Sequence, residues 1–360
     1  MSTIAWIGFS QGLFAAILMF TKKDSSASDK ILSAWLFLLG IKFFTCGLDY
    51  EIFGQPLLSS SLLLFNPALY LYVKTLTRPD YKLKLYQLLH LLPFILFEIS
   101  AYLIQEPLSI RSFFESDSNF IYRMLFGIAN IASWSFYNPM SLILVHKHRM
   151  ALRNEISTIE KNENLGWLLG ISIFYVVYCI VAFILSAFVF SSTINPLTPH
   201  IYNYSVLLFF SYTLSFYGLR QQKIIIKYQK PEVNKTPYQN SQLSEERKQV
   251  IQKRLIEYFE QKKAYLNPEL NMELLSANLR IPKYQLTEVL STEIGKNFFQ
   301  FVNSYRVEAV KKMLADPKNH FSVEATGYEC GFTSKSSFYN VFKSFTGMTP
   351  FEFRNQQLKN

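Results

Sequence analysis

Seven apolar stretches fill the first 220 residues, at 4–20, 31–48, 57–73, 88–104, 120–145, 166–189 and 199–218. A bilayer core about 30 Å thick takes roughly 17 to 25 mostly apolar residues per helix, so each stretch is long enough to span one. The connecting segments sort by charge. Lys22, Lys23 and Lys30 follow the first stretch, and Lys74, Arg78, Lys82 and Lys84 the third. Lys147, Arg149, Arg153 and Lys161 follow the fifth, and Arg220, Lys223 and Lys227 the seventh. The alternate segments, 49–56, 105–119 and 190–198, hold Arg111 as their one basic residue. Basic residues gather in the short loops that stay in the cytoplasm. The alternation therefore predicts seven spans, a multi-pass membrane protein with the N-terminus outside and the C-terminus in the cytoplasm. A signal peptide is a poor reading of 4–20, because no basic residue precedes it and no small-residue cleavage site follows.

Composition divides the chain at the same place. Half of the residues are hydrophobic, with 33 Phe and 22 Tyr, and the formal net charge is +10. From Gln221 onward there are 21 Lys and Arg against 14 Asp and Glu, and before it 15 against 12. A sparsely charged apolar front and a basic polar back call for two different solvents. Between them, residues 229–242 read YQKPEVNKTPYQNS, with two prolines and no apolar period, which marks a linker. The expected domains are a transmembrane domain over 1–220, a juxtamembrane segment and linker over 221–242, and a soluble domain over 243–360. Cys46, Cys179 and Cys330 are far apart and form no CxxC pattern, so they read as free thiols.

Within the spans, Glu98 lies about eleven residues, or roughly 16 Å, from the cytoplasmic end of the fourth. A carboxylate at that depth must face the bundle interior, be paired, or be protonated. Arg123, just inside the outer end of the fifth span, is its nearest partner by depth. Asn66-Pro67 and Asn138-Pro139 occupy similar places in the third and fifth spans; proline kinks a helix, and asparagine satisfies the carbonyls it frees. Glu98, Arg123 and Asn138 are thus candidate intramembrane sensing residues, the plainer reading being a hydroxyl-bonded acid, a snorkelling arginine and a kink. His146 and His148 read as part of the inside-positive collar. No HExxH, GxSxG or Asp pair at helical spacing occurs, so no catalytic residue, metal or cofactor is expected.

Beyond the linker the pattern becomes that of soluble amphipathic helices. Ser244 is placed to cap a helix with Glu245 and Glu246 in its first turn and Val250, Ile251, Leu255, Tyr258 and Phe259 on one face. A short helix over 271–279, a tight Arg-Ile-Pro turn and a second helix opened by Pro282 and stopped by Gly295 have helix-turn-helix spacing. A longer helix over 297–314 follows. The pattern then repeats, with helices over 322–330 and 334–345 turned at Gly331. The expected fold class is all-α: a seven-helix transmembrane bundle followed by a cytoplasmic tandem helix-turn-helix domain.

The run ECGFTSKSSFYNVFKSFTGMTPFEFR, 329–354, resembles the second half of an AraC/XylS-type DNA-binding domain. The resemblance is carried by Gly331, Phe332, Phe338, Phe342, Lys343, Gly347, Thr349, Pro350 and Arg354. Leu286, Gly295, Phe298, Arg306, Ala309 and Leu314 are similar to the first half and the linking helix, so the likeness covers about residues 243–357. It implies sequence-specific binding of double-stranded DNA, with two recognition helices entering successive major-groove segments of an asymmetric site. By position in the motif, the first helix presents Lys283, Tyr284, Thr287 and Glu288. The second presents Lys335, Ser336, Tyr339 and Asn340, with Lys343 near a phosphate. The chemistry suits base edges: Asn pairs with adenine, Lys with guanine, and Glu accepts from cytosine N4. For most lysines in this region the plainer reading is a solvated helix face. Two departures stand out. Thr326-Gly327 replaces the family's frequent Ile-Ala, which is expected to loosen that helix, and Pro282 replaces a frequent Ser cap.

These observations together predict a membrane-integral transcription regulator, its bundle acting as sensor or anchor. The alternative is a transporter or membrane enzyme with a DNA-binding regulatory tail, whose mark would be several coordinated intramembrane ionisable residues. The expected partners are double-stranded DNA, the lipid bilayer, a second copy in a homodimer and an unidentified small-molecule or membrane signal.

Overall fold

The computed structural model describes residues 1–23, 25–78, 81, 84–158, 164–191, 193–221 and 243–357. The linker expected over 229–242 lies outside the described residues, as do Lys82, Lys161, Lys223 and Lys227 of the basic segments. The described residues are helical with no named strand, and they form two compact units. One comprises 1–146 with 165–228, and the other 147–164 with 229–360. Segment 147–164, expected as a loop of the bundle, therefore belongs with the C-terminal unit.

In the first unit α1 runs over Ser2–Phe20, α2 over Ala27–Ile52 and α3 over Leu62–Thr77. A 3-10 turn at Leu85–Leu91 leads into α4, Leu92–Ile104; α5 covers Phe120–Glu155, α6 Gly166–Phe190 and α7 Leu197–Arg220. Each predicted stretch overlaps one of these helices, though 57–61 precedes α3 and 88–91 lies in the 3-10 turn before α4. The segments Ser2–Phe20, Ala27–Ile52, Leu85–Ile104 and Gly166–Phe190 are long and apolar enough to cross a membrane. By the same measure α3 is short, at 16 residues, while α5 and α7 bring Asn, Ser and Tyr into their apolar runs.

The ends of these helices are tied in the pairs that an up-and-down course requires. Ser26 and Asp29 form a capping box at the start of α2. Lys22 bonds Asp29 at 2.8 Å and donates to the carbonyls of Gly218 and Gln221, both at 2.9 Å, so a cation closes the C-terminal end of α7. Trp167, opening α6, donates from Nε1 to Gln221 Oε1 at 3.1 Å. At the opposite ends, the segments after α2 and α4 bond to one another, Leu58 N to Glu106 O at 2.7 Å and Leu108 N to Pro56 O at 2.9 Å. Between them α1 lies against α2 on glycine: a Cβ at Gly12 would stand 2.7 Å from Gly40 Cα, a close approach that small residues permit. The interior is aromatic, with Phe65 stacked on Tyr175 at 4.4 Å and tilted against Phe210 at 5.0 Å. Phe14, Phe20, Leu103, Ile121 and Phe183 lie exposed on the outside.

The second unit is built from α8 (Glu245–Lys262), α9 (Met272–Leu279), α10 (Lys283–Thr292), α11 (Phe298–Ala315), α12 (Val323–Glu329), α13 (Lys335–Thr346) and α14 (Pro350–Gln357). Ser244, Asn271, Asn297, Ser322 and Ser334 each accept a backbone N–H at a helix start, which settles where α8, α9, α11, α12 and α13 begin. Two cores result. Ile251, Leu255, Phe259, Leu275, Leu286 and Val289 form one, and Cys330, Phe332, Phe338, Val341 and Phe342 the other. α11 joins both, giving Phe298, Phe301 and Val302 to the first and Val307, Val310 and Leu314 to the second. Val250, expected on the buried face of α8, is exposed. α14 was not anticipated as a helix; Thr349 and Glu352 cap it reciprocally, at 2.7 and 3.2 Å.

Both departures from the family pattern are accommodated. Gly327 is buried under the Phe338 ring, and a Cβ there would stand 2.6 Å from it. Thr326 beside it is buried and donates to Ser322 O at 3.0 Å. Glycine at this position makes room for the aromatic ring. Pro282 gives α10 no side-chain cap, but its carbonyl accepts from Gln285 N and Leu286 N at 3.0 and 3.2 Å.

Candidate nucleic-acid interface

The two helix-turn-helix units share a local plan. In each, the first helix carries a glutamate at its second position, Glu273 in α9 and Glu324 in α12, and the second helix begins with a lysine, Lys283 in α10 and Lys335 in α13. Lys335 pairs with Glu324, which holds its ammonium above the usual lysine range, and its Nζ lies 5.7 Å from the centre of the Tyr339 ring. Lys283 has two carboxylates near it, Glu273 at 3.9 Å and Glu155 at 3.4 Å.

α13 is oriented by burying Phe338, Val341 and Phe342 and by a left-handed stop at Gly347, φ +80°. Its opposite face then carries Ser336 and Tyr339, half-buried, and Asn340 and Lys343, exposed. On α10, Tyr284 is 67% exposed and accepts from Gln285 Nε2 at 3.2 Å. The Thr287 hydroxyl donates to Lys283 O at 2.9 Å. Glu288 departs from the expectation. Burial of Leu286, Val289 and Leu290 turns it inward, where it is 3% exposed with one carboxylate oxygen 3.9 Å from Lys248 Nζ. It is not presented in this structure.

Arg306 anchors α11. It is fully buried, and burial pulls its guanidinium down to about 10, so it remains charged at neutral pH. Its acceptors are neutral: Tyr265 O at 2.8 Å, Asn267 O at 2.9 Å, Thr158 Oγ1 at 2.9 Å and Ser157 Oγ at 3.2 Å. Gly331 packs against the same place. At φ +91° it sits where a Cβ would come within 2.5 Å of Tyr265 O.

In the bundle, Glu98 does not pair with Arg123, the candidate nearest to it by depth. Glu98 receives both oxygens' bonds from Lys42 Nζ, at 3.0 Å each, and a third from Thr45 Oγ1 at 2.9 Å. Lys42 also bonds Ser59. Asp49, further along α2, accepts from Tyr102 Oη at 2.8 Å and Leu57 N at 3.2 Å. Depth favoured Arg123, but α4 turns Glu98 toward α2. Arg123 instead clamps the segment after α4, bonding Glu106 at 2.6 Å, Asp117 at 2.8 Å and the carbonyls of Phe113 and Glu115. Lys42 was the missed residue, and its signal was plain: a lysine inside an apolar stretch needs an internal partner. Asn138 donates to Asn66 Oδ1 at 3.4 Å, and Tyr175 Oη donates to the same oxygen at 2.6 Å. The two Asn-Pro sites are therefore bonded across the bundle.

Two helix-turn-helix units on one linking helix, each with a polar second helix, define an AraC-type DNA-binding domain, the class to which the C-terminal part of this chain belongs. The family described as a helix-turn-helix domain matches residues 275–356. A transcriptional regulatory protein of Bacillus subtilis (strain 168), YesN, described as uncharacterized, is similar at 32% identity over 94 residues. That stretch is 25% of this chain and 25% of YesN, so the similarity spans a quarter of the relative's length. No solved structure matches the chain.

Proposed function

We propose that this AraC-type DNA-binding regulator is membrane-integral. In this reading seven spans, N-terminus outside, hold the helix-turn-helix domain at the cytoplasmic face of a bacterial inner membrane. The observation that carries it is the inverted polarity of the first unit. Large apolar side chains such as Phe20, Leu103 and Phe183 lie outside, while Lys42, Asp49, Asn66, Arg123 and Asn138 are buried and hydrogen-bonded. That is the arrangement a lipid solvent imposes. The basic alternation of the loops sets the orientation. Tyr284, Lys335, Ser336, Tyr339 and Asn340 read base edges, Lys283 and Thr287 sit at the groove entry, and Lys343 meets a phosphate. Glu98 and Asn138 lie at interhelical bonds that a membrane signal can rearrange, and a second copy completes a homodimer.

The topology is tested by cysteine labelling with a membrane-impermeant maleimide. Ser116→Cys, in the segment after α4, labels in intact spheroplasts, and Lys253→Cys on α8 labels only after lysis. The reverse pattern, or recovery of the protein in the soluble fraction, overturns the reading. The Lys42, Glu98 and Asp49 cluster favours one rival, a transporter with a regulatory tail. There, Glu98→Gln abolishes flux in proteoliposomes and leaves DNA occupancy unchanged; in a sensor it alters occupancy.

A further inference from the structure

Segment 155–158 is seated where the first recognition helix begins. Ile156 forms an antiparallel bridge with Asn271, the cap of α9. Ser157 is buried and donates from Oγ to Leu270 O at 2.5 Å. Its carbonyl accepts from Asn303 Nδ2 at 2.8 Å and Arg306 Nη1 at 3.4 Å, and Thr158 Oγ1 accepts from Arg306 Nη1 at 2.9 Å. Asn303 and Arg306 are themselves buried on α11. Two polar side chains on the helix that links the DNA-reading units thus take partners from a segment far away in sequence. Next to this seat Glu155, the last residue of α5, places its carboxylate 3.4 Å from Lys283 Nζ. The C-terminal pole of a helix is also negative. Lys283 is the first residue of α10, and N-terminal residues of a recognition helix meet the base edges and flanking phosphates. Glu155 presents it with the charge that DNA would.

We propose that segment 155–158 is an autoinhibitory dock, which occupies the entry of the first recognition helix and must leave before DNA is bound. Release leaves Arg306 with Tyr265 O and Asn267 O, and water replaces Ser157 and Thr158 at a guanidinium that becomes exposed. Both states are therefore satisfied, as a switch between them needs. Glu155 closes a helix that begins at Phe120, so a change felt by α5 has a covalent route to the dock.

The inference rests on the DNA-binding reading, and the test separates the two. The full-length protein in lipid nanodiscs is used with a fluorescent duplex selected on it from a random-sequence pool. Carbodiimide joins Glu155 to Lys283 as an amide, with loss of water, and the linked peptides are read by mass spectrometry. The crosslink forms without DNA and falls several-fold at saturating duplex. Glu155→Gln raises duplex affinity about 2- to 5-fold, the scale of one exposed ion pair. Ser157→Ala raises it as well, whereas simple damage to the domain would lower it. A crosslink that survives duplex binding, or affinities that do not rise in either variant, overturns the dock and leaves DNA binding standing. Failure of every protein to select a duplex overturns both.

Discussion

Gly331 shows how much one residue decides. Its φ of +91° and the nearness of Tyr265 O leave no space for a side chain, and it stands beside Cys330, whose buried thiol is pushed up to about 12. Burial keeps that thiol protonated and shielded, so alkylation reports opening of the second core. Gly331→Ala is expected to cost roughly 1–3 kcal/mol, the usual range for a strained backbone position. The check is a several-fold faster alkylation of Cys330 at pH 8, followed by peptide mass spectrometry; an unchanged rate would contradict the assignment. Lys42 offers a second case. Removing one member of a buried pair strands the other, at roughly 3–5 kcal/mol, whereas replacing both with neutral groups of similar size is nearly silent. Lys42→Met should therefore lower the unfolding temperature in detergent, and Lys42→Met with Glu98→Gln should restore most of the loss. Gly331 was legible because a turn between two short helices asks for a left-handed residue. The partner of Glu98 was not, because depth along a helix is readable from sequence and the direction a side chain faces is not.

At the scale of elements, α13 is legible in the sequence. A Ser cap, three apolar residues at helical spacing and a glycine stop define both its ends and its buried face. Lys335, Ser336, Tyr339 and Asn340, placed by position in the family motif, lie off that buried face, with Lys335 and Asn340 exposed and Ser336 and Tyr339 half-buried. α10 was less legible: position in the family motif put Glu288 among the presented residues, whereas its packing beside Lys248 turns it inward. Lys335→Ala with Asn340→Ala should cut specific DNA affinity about 30-fold or more, given about 1–3 kcal/mol for each of two base-specific contacts. Non-specific binding should change little, as read by anisotropy at matched salt. An equal loss on every sequence would mean that these residues serve phosphates. α5 marks another limit. Hydropathy ends near residue 145, but the helix continues to Glu155, because loss of apolar residues ends a span without ending a helix. The seat of Ser157 against α11 joins residues far apart in sequence, and no local pattern announces such a contact.

Over the whole chain, composition and charge change toward the C-terminal third, and the chain forms two compact units, with 147–164 the exception to a simple front-and-back split. That exception assigns a segment expected to belong to the bundle to the unit that reads DNA. Under the proposed anchoring, the protein would search only the DNA that comes to the membrane, and the proposed dock would set the fraction of time its interface is free. The most direct measurement is crosslinking in cells, isolation of the membrane fraction and sequencing of the DNA that copurifies with the full-length protein. Discrete, reproducible sites that disappear in the Lys335→Ala, Asn340→Ala double variant are the predicted result. A protein that copurifies with no preferred sites, or that is recovered with its DNA outside the membrane fraction, would contradict the account.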